Sequence, residues 1–197
     1  MNRYIVLLLT FALISSCKPE VYTPKPRGYF HIELPEKSYT TFDSTGFPYK
    51  FEYPSYGKII TNPDFFGDKP ENPYWLNIQF PGIGGKIYIS YKDINKNNSL
   101  EKVNSDFYQM TYTVHEKKAD YIQDFFHSDA ERRVYSAFYN VTGDAASAYQ
   151  FYATDSFNHY IRGALYFEAT PNADSLKPLN EFLKKDITHL LETLEWK

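Results

Sequence analysis

Three runs in the second half of the chain restrict its fold more than any other feature. "RVYSAFYNV" (133–141), "SAYQFYAT" (147–154) and "YIRGALYFEA" (160–169) alternate, are rich in aromatic residues, and are separated only by "TGDAA" and "DSFNH". Short alternating runs at this spacing read as an antiparallel meander. Each of the first two carries large rings on both faces: Tyr135, Phe138 and Tyr139, then Tyr149, Phe151 and Tyr152. A sheet with rings on both faces needs cover on both.

Two helices supply that cover. Leu176, Leu179, Phe182, Leu183, Ile187, Leu190, Leu191 and Leu194 form one apolar stripe near the C-terminus. Asp174 or Ser175 is the expected cap, and Pro178 falls in the first turn, where a missing N–H is tolerated. Leu100, Val103, Phe107, Met110 and Val114 recur at three and four residues and predict a second helix, opened by a capping box from Asn98 to Glu101. A weaker helical stretch continues through Ile122, Phe125 and Phe126. In the first half, "FPYKFEYP" (47–54), "WLNIQF" (75–80) and "KIYISY" (86–91) read as strands, the last two joined by "PGIGG" as a hairpin. Residues 61–74 hold three prolines and read as a loop. The order is strands, helix, strands, helix. The expected fold is α+β: a mainly antiparallel sheet with a helix packed on each face.

The N-terminus is a different kind of segment. Arg3 precedes an apolar run from Tyr4 to Ile14, which is too short to span a bilayer at about 20 residues per spanning helix. It ends in Ile14-Ser15-Ser16-Cys17, which resembles the bacterial lipobox: aliphatic, small, small, cysteine. Residues 1–16 therefore read as a lipoprotein signal peptide. Cys17 is the expected lipidation site, and it is the one cysteine in the 197-residue chain. Three acyl chains at about 0.8 kcal/mol per buried methylene hold far more firmly than one. Residues 17–28 form a proline-rich, semi-rigid tether, and residues 29–197 one globular domain. Lys18 after the cysteine favours the outer over the inner membrane, with the domain facing the periplasm.

Composition narrows the function. The net charge of −3 and the lack of a basic run exclude electrostatically driven nucleic-acid binding. "PGIGGK" (81–86) lacks the spacing of a phosphate loop, so no nucleotide is expected. "DINKNN" lacks the glycine and the bidentate glutamate of a calcium loop. His31, His115, His127, His159 and His189 are scattered and read as surface or sheet-edge residues; no metal site, catalytic set or cofactor is expected. Nineteen Tyr and sixteen Phe could serve as core or stack on sugar rings.

The lipobox, "PKPRGYFHIELP", "FPYKFEYP", "QFYATDS", "RGALYFEATPNADSLKP" and "DITHLLETLEW" together resemble the gliding-motility lipoprotein GldD family of the Bacteroidota. That resemblance runs over essentially all of the chain beyond the signal. It implies a lipid-anchored cell-envelope protein required for gliding. It also implies protein–protein contacts that support assembly or stability of the gliding and type IX secretion machinery, and no enzymatic activity. It carries over one functional position, Cys17. The element order is similar to the PsbP-like α/β/α sandwich. Exported proteins of the same phylum carry O-glycans at Asp-Ser/Thr-X, which makes Ser44, Ser156 and Ser175 candidate glycosylation sites. The alternative function is a glycan- or peptidoglycan-binding envelope lipoprotein, suggested by the aromatic excess.

Overall fold

The computed structural model describes residues 32–61 and 69–197. The signal peptide, Cys17, the tether and His31 lie outside them. The alternating runs become the centre of a seven-stranded antiparallel sheet in the order β3-β4-β5-β9-β8-β7-β6. Its strands are β3 (Lys58–Thr61), β4 (Leu76–Phe80), β5 (Gly85–Asp93), β6 (Ala119–Asp129), β7 (Val134–Gly143), β8 (Tyr149–Thr154) and β9 (His159–Phe167). A smaller sheet pairs β1 (Tyr39–Phe42), β2 (Tyr49–Pro54) and β10 (Glu195–Trp196), with β2 in the middle.

Register explains the two-sided patterning. Phe125, Phe138, Phe151, Gly163, Ile89 and Leu76 stand opposite one another across six adjacent strands, from β6 through β7, β8, β9 and β5 to β4. Successive residues point to opposite faces of a strand, so the neighbouring row of Tyr139, Gln150, Ala164, Tyr88 and Asn77 faces the other way. The aromatic excess is mostly core: Tyr49, Phe51, Phe80, Tyr91, Phe151 and Tyr160 are fully buried.

One face is covered by helix α2 (Ala173–Thr193), which buries Leu179, Leu183, Ile187, Leu190 and Leu191. Each such side chain contributes about 1.5–3 kcal/mol. Helix α1 (Leu100–Tyr108) covers the other face through Val103 and Phe107, against Ala137, Tyr139 and Tyr160. The fold is the expected α+β sandwich.

Local details differ from the sequence expectation. The α1 cap is Ser99, whose side chain accepts from Lys102 N–H, and the α2 cap is Asn172, which accepts from Ser175 N–H. With α2 starting at Ala173, Pro178 falls in its second turn. A π turn (Gln109–Thr113) follows α1. Its wider spiral changes the phase of the buried stripe, so Thr111 and His115 face the sheet while Met110 and Val114 are exposed. His115 is therefore a buried histidine and not a surface one. Residues 119–129, expected as a weak helix through Ile122, Phe125 and Phe126, are strand β6. They pair with β7 from Ala119 to Asp129, with a bulge at Asp120, because the short turn at 130–133 sets them beside a strand whose own residues are firmly buried.

Candidate functional site

Strand β6 is the last strand of the sheet and is eleven residues long. Helix α2 packs mainly on β2, β7 and β8 and meets β6 only along a groove. One side of β6 is laddered to β7, and among the described residues no strand pairs with the other. Its side chains are exposed on both faces: Tyr121 63%, Phe125 44% and Phe126 70%. Phe125, opposite Phe138, lies on the α2 face, and Phe126, opposite Ala137, lies on the α1 face.

A groove of about 220 Å³ runs between β6 and α2, walled by Phe125, Phe138, Lys184, Thr188 and Leu191. The Lys184 ammonium stands 5.9 Å from the Phe125 ring centroid. Asp120 and Asp124 are exposed on the same strand. The opposite edge of the sheet, β3, has four residues and opens with a lysine, the usual way an edge is blunted. Long, aromatic and unpaired, β6 is the kind of edge that takes up another strand.

The polar clusters elsewhere brace the fold. Asp186 on α2 is buried and accepts from Lys37 Nζ at 2.7 Å, Tyr39 Oη at 3.0 Å and Tyr56 Oη. Burial lowers the Lys37 pKa from its ordinary value against the pull of Asp186. Burial, with Asp186 beside it, raises that of Tyr39 to about 12. His189 stacks on Tyr39 with ring centroids 3.7 Å apart and meets Glu52 at 2.7 Å. Tyr91 donates to Asp93 at 3.0 Å or to His159 Nδ1 at 2.7 Å. At the far end of α2, Arg132 from the β6–β7 turn donates to the Glu192 and Leu194 carbonyls while its Nε holds Asp129 at 2.8 Å. The hydroxyls in these clusters are phenols, and burial raises the pKa of Tyr39, Tyr56 and Tyr91. Among the described residues no three His, Cys, Asp or Glu side chains gather as metal ligands, and no helix is long and apolar enough to cross a membrane.

The three candidate glycosylation serines sit in three separate places. Ser44 is in the β1–β2 turn, where its carbonyl accepts from Phe47 N–H. Ser156 is in the β8–β9 turn with a left-handed φ of 71°. Ser175 is exposed in the first turn of α2.

The family model of the gliding motility lipoprotein GldD matches residues 19–196. The chain belongs to the GldD family. Membership brings a role in gliding motility and the cell-envelope setting of a lipoprotein. The curated proteins contain no match. Among solved structures, cyanobacterial PsbP (CyanoP) from Synechocystis sp. PCC 6803 aligns with a TM-score of 0.51 at 11% identity, covering 90% of this chain and 99% of that one. At that identity the likeness concerns the fold alone, and it agrees with the α+β sandwich. For this GldD-family chain the sequence reading missed β6 as the exposed feature, because it assigned Phe125 and Phe126 to a helix. The signal was the turn-like "SDAERR" directly before "VYSAFYNV", which marks a hairpin.

Proposed function

We propose that this domain is a non-enzymatic docking module of the gliding apparatus. In this reading Cys17 carries the lipid anchor at the outer membrane and residues 18–28 stand the domain off the lipid in the periplasm. The domain holds a component of the gliding and type IX secretion machinery. The observation that carries the reading is the open β6 edge with Tyr121, Phe125 and Phe126 exposed along it. The occupant is an extended segment of a partner protein. Its backbone completes the β6 ladder, its apolar side chains cover Phe125 and Phe126, and its basic side chains answer Asp120 and Asp124. A glycan could stack on the same rings but would leave the row of backbone donors and acceptors unpaired, so the edge favours a strand.

The test is made in cells. Phe125→Asp with Phe126→Asp should abolish spreading while the protein stays lipidated and folded. A photocrosslinking residue at Gln123 should join a gliding or secretion component in the parent and lose it in the double variant. Ile60→Asp on the opposite edge should spread normally. Normal spreading of the double variant would sink the reading, and loss of peptidoglycan-fragment binding in place of the crosslink would replace it with the glycan alternative.

A further inference from the structure

His115 stands at the joint between the π turn and β6. Its carbonyl accepts from Lys118 N–H at 2.9 Å, one residue before β6 begins at Ala119. Its ring is buried and reaches Gln150, which lies fully buried on β8. Single-turn π segments frequently mark functional sites.

The Gln150 amide decides the state of that ring. Its Oε1 accepts from Thr111 Oγ1 at 3.1 Å and from Arg162 Nη2 at 3.2 Å. Two donors at one oxygen fix which way the amide points. The atom that meets His115 Nδ1 at 3.3 Å is therefore Nε2, which can only donate. Nδ1 must then be the lone-pair nitrogen. The ring is neutral, and its proton sits on Nε2, buried without a partner among the described residues.

A proton on Nδ1 is incompatible with this bond, because hydrogen would face hydrogen. The acceptor left to it is the Thr111 carbonyl, 3.1 Å away on its own turn. Protonation thus exchanges a bond to the sheet for one within the π turn. It also buries a second cation near Arg162, whose charge acts on the ring. Asp106, Glu71 and Lys92 line the cavity beside Arg162 and balance it, while Glu116, Lys117 and Lys118 are exposed. No described carboxylate forms an ion pair with His115.

We infer that His115 is an acid-sensitive latch. The neutral ring ties the joint between the π turn and β6 to β8, and protonation releases it. Burial lowers the His115 pKa from its ordinary value and Arg162 adds to this, against the pull of the Thr111 and Met110 carbonyls. A folded pKa below the unfolded value of about 6.5 means that the folded state binds fewer protons between the two. The latch is closed above about pH 6.5, and its contribution is lost as the pH falls below that value. The loosening is local to residues 109–118 and the first residues of β6. It does not depend on a partner at β6, and its failure would leave the docking reading standing.

The test uses the full lipidated chain in detergent, labelled with ¹⁵N. At about pH 7.5 the His115 ring should show a bare Nδ1 and a protonated Nε2. Hydrogen exchange, corrected for its intrinsic pH dependence, is then compared at about pH 7.5 and about pH 5. It should speed up several-fold over residues 109–122 and much less in β4 and β5. His115→Gln cannot titrate and should lose the acceleration. Gln150→Glu gives a protonated Nδ1 an acceptor on the sheet and should lose it too. A protonated Nδ1 at neutral pH, no acceleration, one spread evenly over the sheet, or one that persists in His115→Gln would overturn the assignment. The wild-type readings decide even if a variant fails to fold.

Discussion

Lys37 and Asp186 are separated by 149 residues in sequence and meet at 2.7 Å. The carboxylate is fully buried and the ammonium about a quarter exposed. Lys37 also donates to the Phe182 carbonyl and lies 3.3 Å from the Phe182 ring centroid. The start of the domain is thereby fastened to the middle of α2 by one charge that is costly to bury and one that partly offsets it.

Removing either side of this pair should not be symmetrical. Asp186→Ala leaves Lys37, Tyr39 and Tyr56 without their shared acceptor and should destabilise the fold by about 3 kcal/mol. Lys37→Met leaves two phenols on the carboxylate and should cost less. Asp186→Leu combined with Lys37→Met should recover part of the loss, as replaced buried ion pairs often do. Chemical denaturation of the four proteins checks the ranking, and equal losses from the two single variants would contradict it.

Alkali should unfold the protein cooperatively. Tyr39 is raised to about 12 by burial and by Asp186, and burial raises Tyr49, Tyr56, Tyr91 and Tyr160 further still. A folded pKa above the unfolded value of about 10 means that the folded state binds more protons in that window. Stability is full below about pH 10 and falls as the pH rises through 12. Tyrosinate absorbance should therefore rise together with loss of far-ultraviolet ellipticity; buried tyrosines that titrate smoothly in a folded chain would refute this.

Gly163 is held open for a ring. It stands opposite Phe151 on β8, and a Cβ placed there would lie 2.0 Å from Phe151 Cζ. Gly163→Ala should cost about 2–3 kcal/mol through overpacking. Phe151→Leu, which loses ring contacts alone, should become less harmful in the Gly163→Ala background. Additive effects in the double variant would show that the two residues do not compete for the same space.

Arg132→Ala removes both the cap on the last carbonyls of α2 and the bond to Asp129. It should lower stability by about 1–2 kcal/mol. Hydrogen exchange should speed up at the end of α2 and the β6–β7 turn before anywhere else. Uniform acceleration across the sheet would mean that the arginine is not a local fastening.

The sequence was readable where burial is regular. The meander, the α2 stripe and the β4–β5 hairpin all follow from periodicity, because one or both faces are packed and each residue's type reports its face. Strand β6 was misread for the opposite reason. It is exposed on both sides, so nothing forces its side chains to alternate, and Ile122, Phe125 and Phe126 fall by chance at helical spacing. The π turn had a similar effect. Met110 and Val114 continue an α-helical stripe in one dimension, while the inserted phase hands the interior to Thr111 and His115. The short strand β10 owes its existence to β2, a neighbour distant in sequence.

The two fastenings on the C-terminal half of α2 have a mechanical consequence. The Lys37–Asp186 contact lies four residues past Glu33, and Arg132 joins the C-terminal end of the same helix to the hairpin that carries β6. Tension entering from the N-terminal side would thus be handed to a rigid strut and delivered at the β6 edge, without having to unzip β1 from β2 along the way. Load passed from Lys37 towards β6 would run along the last turns of α2, and the force that breaks this path should fall when Lys37 or Arg132 is replaced.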